Sequence, residues 1–236
     1  MRLLERQDFL DLQAFTKRLD ITMRRLCSST EQDSPAFWIK DEWGHPDLPE
    51  YLPWMGPRYA FAGHDVPMSI FRGEGMTLFL LMRILAPEIA VECFTGTGYA
   101  ASWIAAGSPA SLIYTVDSYE EGGMGKEGYF RALRLFSHLG LDNLIPIHAS
   151  MDTLCATLSG RRPDVYFSDG PYMPGGIELS PNAVVIRHDN AEGQAIGRSF
   201  SIIGGSHLSV MCPSVAERDA LMLAMSRYFP VERCDA

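Results

Sequence analysis

The 236-residue chain has five cysteines (Cys27, Cys93, Cys155, Cys212 and Cys234), odd in number, far apart and without a CxxC pair. That spacing excludes a disulfide framework and a structural zinc site, and it implies reduced thiols. No apolar run reaches the roughly 20 residues a membrane span needs, because Arg83, Pro87 and Glu88 interrupt the longest stretches. The first 15 residues carry acids inside their apolar run and no small-residue cleavage site, so no signal peptide and a cytoplasmic location are expected. Positive charge is scarce: 20 Lys and Arg face 29 Asp and Glu, a net charge of -9, and only three of the cations are lysines (Lys17, Lys40 and Lys126). Nucleic-acid binding draws on clustered Lys and Arg, and none is expected here. What remains is a chain that is 47% hydrophobic, with 21 Gly and 15 Pro spread along it, which is too apolar for disorder and suits either one large globular domain or a domain plus an appendage.

Phe9, Leu10, Leu12, Phe15, Leu19 and Met23 recur at helical spacing and predict an amphipathic helix over about 7–27, whose apolar stripe needs a partner surface. That partner is either the same chain or a second copy in a homodimer. Residues 28–67 then mix Pro, Gly, Asp and His with Phe37, Trp38, Trp43, Tyr51, Trp54, Tyr59 and Phe61, with no periodicity. These aromatics either pack the first helix onto the core or form a lid over a pocket for a planar ligand. His45 and His64 in this segment have no metal-ligand spacing and read as surface or packing residues. The expected organisation is a helix and aromatic cap over 1–67 and a second unit over 68–236.

From Gly73 onward helices alternate with short apolar strands. Helices are expected over about 73–86, through 106, 127–139 and 152–158, and strands over 88–94, 111–116, 144–148, 164–168 and 183–188. This order predicts an α/β fold, a doubly wound parallel sheet with helices on both faces. After 191 a helix, a strand over 207–212, a helix over about 214–228 and a short last strand are expected. Ligands of such sheets sit beyond the carboxyl ends of the strands, so the residues after each strand are the informative ones.

The first strand runs into Thr95-Gly96-Thr97-Gly98-Tyr99 at the start of a helix. Glycines let backbone approach a ligand closely, and a helix start offers free N–H groups. Asp117, 19 residues beyond Gly98, ends the second strand where a carboxylate can accept both hydroxyls of a ribose. Gly96-x-Gly98-x-x-Ala101 satisfies the dinucleotide pattern of an NAD(P) oxidoreductase and equally suits a loop for S-adenosylmethionine (SAM). The later strand ends discriminate: Asp169 ends the fourth and Asp189-Asn190 the fifth, three hard oxygen donors on one rim, which suits Mg2+. A cation beside SAM can bind a substrate hydroxyl, acidify it and aim it at the methyl group. A dehydrogenase has no use for such a trio. The glycine-rich stretch 120–126 reads as either a flap over the cofactor or a plain loop.

With these motifs in this order, about Met68 to Asn190 resembles the catechol O-methyltransferase-like, metal-dependent class I methyltransferases, which implies a Rossmann-like methyltransferase sheet. Met68-Ser69-Ile70 followed by Gly73-Glu74-Gly75 looks like the segment laid against the methionine part of SAM, which implies Met68 and Ile70 as cofactor contacts. VECFTGTGY is similar to the family's cofactor loop, which implies Glu92, Gly96, Gly98 and Tyr99. TVDSY implies Asp117 with Ser118 beside it, and HASMD implies Ser150 and Met151 next to the adenine. PDVYFSDG and IRHDN imply Asp169, Asp189 and Asn190 as the metal ligands, with Asp169 also at the cofactor. The activity implied is Mg2+-dependent transfer of a methyl group from SAM to a hydroxyl of a small aromatic or polyhydroxylated molecule.

Two departures stand out. Phe94 occupies the position of the loop's first glycine, and Tyr172 stands where the family has its catalytic lysine. Tyr172 is weakly basic at an ordinary pKa of ~10, whereas His188, with an ordinary pKa near ~6.5, is the candidate proton acceptor at neutral pH; a strand-end histidine turned into the core is the structural alternative. Asp169-Gly170-Pro171-Tyr172 also approaches the D-P-P-Y motif of amino-methyltransferases, which would make the chain a metal-independent N-methyltransferase of small molecules. A SAM-binding protein of this fold without methyl transfer is the non-enzyme reading.

Overall fold

The computed structural model describes residues 1–28, 38–40, 59–61, 70, 72–119, 125–169, 177–188, 198–202, 208–229 and 231–234. The first helix, α1 (Arg6–Ser28), closes its amino end with Asp8, whose carboxylate accepts the Glu5 N–H at 2.7 Å and pairs with Arg2. A short antiparallel ribbon follows, β1 (Trp38–Lys40) with β2 (Tyr59–Phe61); the rest of the aromatic segment lies outside the described residues. The alternating part is α2 (Arg72–Leu85), β3 (Ile89–Cys93), α3 (Tyr99–Gly107), β4 (Leu112–Asp117), α4 (Gly125–Leu139), β5 (Leu144–His148), α5 (Met151–Leu158), β6 (Val165–Asp169) and β7 (Val184–His188). The chain then forms β8 (Ser199–Ile202), β9 (Ser209–Met211), α6 (Val215–Met225) and β10 (Val231–Arg233).

Eight strands form one sheet in the order β10-β8-β9-β7-β6-β3-β4-β5. β3 to β7 are mutually parallel, and the chain reverses its winding between β3 and β6, which creates the switch-point crevice at their carboxyl ends. The doubly wound α/β core is as the sequence predicts, but the far edge differs: β9 runs antiparallel to both β7 and β8, and β10 antiparallel to β8, so the sheet is mixed. β8 has no counterpart in the sequence reading. Its four residues, Ser-Phe-Ser-Ile, give too short an alternation to register as a strand, and cross-strand pairing with β9 and β10 supplies what local propensity does not.

Strand alternation divides the interior into two layers. Ala90, Ile113, Val165, Phe167, Val184 and Ile186 point into the larger core with α1, α2, α3, α4 and α6. Ile89, Val91, Cys93, Tyr114, Val116, Tyr166 and Val185 face the other way, onto Leu154 and Leu158 of α5. The stripe of α1 is spent inside this chain: Leu12, Phe15, Leu19 and Met23 are buried in the larger core, with α1 packed on α2 and α4. At about 1.5–3 kcal/mol for each fully buried side chain of this size, that face contributes heavily to holding α1 in place. Among the described residues no helix is long and apolar enough to cross a membrane.

Candidate functional site

The same alternation aims the strand-end side chains. On β3 and β4 the pair in register is Glu92 and Thr115, on the face of the larger core. Thr115 Oγ1 donates to Glu92 Oε2, and Thr95 and Thr115 hydroxyls lie 2.6 Å apart. Glu92 is fully buried, and desolvation, reinforced by the nearby Asp169 and Asp117 carboxylates and opposed by the Thr115 hydroxyl and the Ala101 N–H, pushes its pKa well above the ordinary carboxylate range. Glu92 Oε1 is buried without a hydrogen-bond partner among the described residues.

The turn after β3 is held open by Asp117. Its Oδ2 accepts the Gly96 N–H at 3.0 Å and its Oδ1 the Tyr119 N–H at 2.8 Å, while the Tyr119 hydroxyl donates to the Gly96 carbonyl at 3.1 Å. Each carboxylate oxygen keeps a lone pair for a further donor. Gly96 (φ +51°) has no atom of the described residues within 4 Å of where a Cβ would sit; Gly98 (φ +81°) instead lets α4 close in, since its Cβ would fall 2.5 Å from the Phe136 ring. Phe94 also has positive φ, +70°, and its ring is 42% exposed. Beyond it, α3 begins at Tyr99 with Gly98 in the cap position and no side-chain cap.

Other expected contacts are distributed around this turn. Ser118 and Ser150 are exposed at the ends of β4 and β5, joined by the Ala149 N–H donating to the Asp117 carbonyl at 3.1 Å. Ser150 precedes α5, whose first residue is Met151. Tyr119, which the sequence reading did not single out, packs with Tyr129 and His148 at centroid distances of 5.5 and 5.3 Å, and those two rings lie 4.9 Å apart, an aromatic wall next to Asp117. Its only signal in the sequence was its place two residues after Asp117. Ile70 and Tyr99 are buried, Ile70 in the larger core and Tyr99 edge-on to Trp103. Met68, Tyr172, Asp189 and Asn190 lie outside the described residues.

At the ends of β6 and β7, Asp169 and His188 are register partners on the same face, opposite the first turn of α2. His188 Nδ1 lies 2.7 Å from Asp169 Oδ1, and His188 Nε2 lies 3.1 Å from Glu74 Oε2, with His188 and Glu74 both buried. Burial alone would lower the histidine's pKa, but hydrogen bonds and attraction to the two carboxylates overcome it and push the pKa up to about 10. The ring expected as proton acceptor is thus buried on β7 between two carboxylates, which favour its protonated form. Asp169, the described member of the expected metal trio, gives one oxygen to this contact, and among the described residues no three His, Cys, Asp or Glu side chains gather as a metal-binding group.

The fold and crevice thus define a doubly wound α/β protein with a glycine turn, a helix start and an acidic strand end facing the same edge. No family model and no curated protein matches the chain. Among solved structures it is similar to an O-methyltransferase, TomG from Streptomyces achromogenes, involved in tomaymycin synthesis and bound to SAM, at 19% identity and TM-score 0.45, spanning 52% of this chain and 57% of that one. It is also similar to an O-methyltransferase from Bacillus cereus in complex with SAH (15%, TM-score 0.49, 83% and 90%) and to a putative caffeoyl-CoA O-methyltransferase from Staphylococcus aureus (13%, TM-score 0.49, 62% and 85%). Likeness at this level leaves the function to the chemistry of the crevice itself.

Proposed function

We propose that the chain is a SAM-dependent O-methyltransferase acting on a hydroxyl of a small aromatic or polyhydroxylated molecule. The observation that carries this reading is the turn at Gly96: open on its ligand side, tied back by Asp117, and set between the buried, unpartnered Glu92 Oε1 and the uncapped start of α3. A purine nucleoside fits that arrangement, with its ribose hydroxyls donating to the remaining lone pairs of Asp117 and its base between the Tyr119 side and the exposed Ser118 and Ser150. The Glu92 end is suited to a ligand ammonium group. Bound SAM supplies an activated methyl group on a sulfonium, so the protein's contribution is positioning and exclusion of water.

In this reading Asp169 orients the acceptor, its Oδ1 fixed by His188 and its Oδ2 turned to the incoming hydroxyl. Phe94, exposed at the mouth of the crevice, walls the acceptor side. The cap expected over a planar acceptor would then come from the aromatic segment, most of which lies outside the described residues, since α1 is part of the core. A Mg2+ requirement through Asp169, Asp189 and Asn190 belongs to the same reading, but the described residues do not assemble such a donor set, and none of the roles above depends on a cation. The engagement of Asp169 by His188 favours one second reading, metal-independent transfer to a small amine at Asp169-Gly170-Pro171-Tyr172. Transfer of isotope-labelled methyl from SAM to phenolic and amine acceptors, with and without EDTA, tests both. Loss with EDTA and return with Mg2+ selects the metal-assisted hydroxyl reading; EDTA-indifferent transfer to nitrogen selects the second; no SAM binding removes both.

A further inference from the structure

A glutamate that is fully buried in the first turn of a helix needs a partner, because taking a carboxylate out of water without one costs several kcal/mol. Glu74 is such a residue: it is 0% exposed near the start of α2, and its Oε2 meets His188 Nε2 at 3.1 Å. The helix that carries it is locked, with Met76, Leu78, Phe79, Leu80 and Leu81 all buried, so the carboxylate is presented from a fixed support. The ring it meets is buried on β7 and turns its other nitrogen to Asp169 Oδ1 at 2.7 Å. Three residues from three elements therefore form one line running from the interior to the carboxyl edge of the sheet: Glu74, His188, Asp169.

We propose that Glu74 is a positioning residue that acts through His188 to fix the Asp169 carboxylate in the orientation that receives the methyl acceptor. Glu74, at 0% exposed, acts from within the core rather than from an exposed surface. His188 fixes Asp169 Oδ1, and Glu74 fixes the rotation of the His188 ring, so the second Asp169 oxygen has a single direction in which to accept. Outer partners of this kind, held on rigid elements, commonly set a reactive group's orientation. The consequence for catalysis rests on the methyl-transfer reading; the positioning line itself does not.

The test compares Glu74→Leu, which keeps the volume and removes the acceptor, with Glu74→Gln, which keeps an acceptor oxygen. Glu74→Leu is expected to lower kcat for methyl transfer about tenfold or more while SAH affinity, measured by calorimetry, stays within about twofold. Glu74→Gln is expected to restore most of that loss. Equal rates in Glu74→Leu and the unaltered protein, or equal losses in the two variants, overturn the proposal. Should Glu74→Leu not fold, nitrogen-15 histidine spectra of the unaltered protein decide. Two slowly exchanging, hydrogen-bonded ring N–H signals from His188, with the Nδ1 signal displaced in Asp169→Asn, support the line; a ring N–H exchanging freely, or one unmoved in Asp169→Asn, overturns it. If the unaltered protein binds no SAH, the methyltransferase reading fails, and the same spectra still decide whether Glu74 and Asp169 are joined through His188.

Discussion

Asp169 and His188 sit opposite each other in register across β6 and β7, with Nδ1 and Oδ1 2.7 Å apart, and the same imidazole reaches Glu74 on the far side. The pairing gives stability a definite pH dependence. The folded pKa of His188, about 10, lies above the ordinary 6.5, so its contribution is complete below pH 6.5 and is lost as pH rises from there through about 10. Urea denaturation across that range should show the unaltered protein losing stability toward alkaline pH. His188→Asn should be less stable at pH 6 and approach the parent's value near pH 10. A constant difference between the two would contradict the paired imidazolium.

Asp117 should matter twice. Its carboxylate holds the Gly96 and Tyr119 N–H groups, and hydrogen bonds to a charged acceptor contribute about 1.5–3 kcal/mol each. Asp117→Ala should cost about 3 kcal/mol of stability or more and abolish SAH binding, both measurable by thermal denaturation with and without SAH. A variant that binds SAH normally would remove Asp117 from the ribose site.

The two glycines of the turn should separate packing from ligand approach. Gly98→Ala drives a Cβ into Phe136 at a backbone angle disfavoured for alanine, and it should destabilise by about 2–4 kcal/mol. Gly96→Ala meets nothing and should cost only about 1 kcal/mol of backbone strain. It should nevertheless weaken SAH binding, because the added methyl stands on the open side. Calorimetry showing unchanged affinity in Gly96→Ala would place the cofactor elsewhere.

Phe94 carries a left-handed backbone while exposing much of its ring, so it contributes little core burial for its strain. Phe94→Gly should leave stability unchanged or raise it by about 0.5–1 kcal/mol, as seen in thermal melting, since relief of the disfavoured angle offsets the added chain freedom. On the proposed reading the same change should raise KM for an aromatic acceptor with a smaller effect on SAH affinity.

The sequence made the parallel core legible because each of its strands is a short apolar run closed by a polar residue, and each helix between carries a periodic stripe. Asp117 and Gly96, both picked out by their spacing, are brought into contact by the fold. β8 could not, since its pairing is set by β9 and β10 rather than by its own four residues. Nor could the partnership of Glu74 with His188, 114 residues apart, which exists only once α2 is packed across the ends of β6 and β7. The two carboxylate neighbours that raise the pKa of His188 are likewise invisible in the linear order. The placement of Asp189, Asn190 and Tyr172 falls outside the described residues.

The most direct measurement is transfer of a labelled methyl group from SAM to a panel of phenolic hydroxyl acceptors, run beside SAH calorimetry on the same preparation. Saturable SAH binding with label appearing on an acceptor oxygen, both lost in Asp117→Ala, is the predicted result. A folded protein that binds no SAH, or one in which Asp117→Ala binds and transfers as well as its parent, would contradict it.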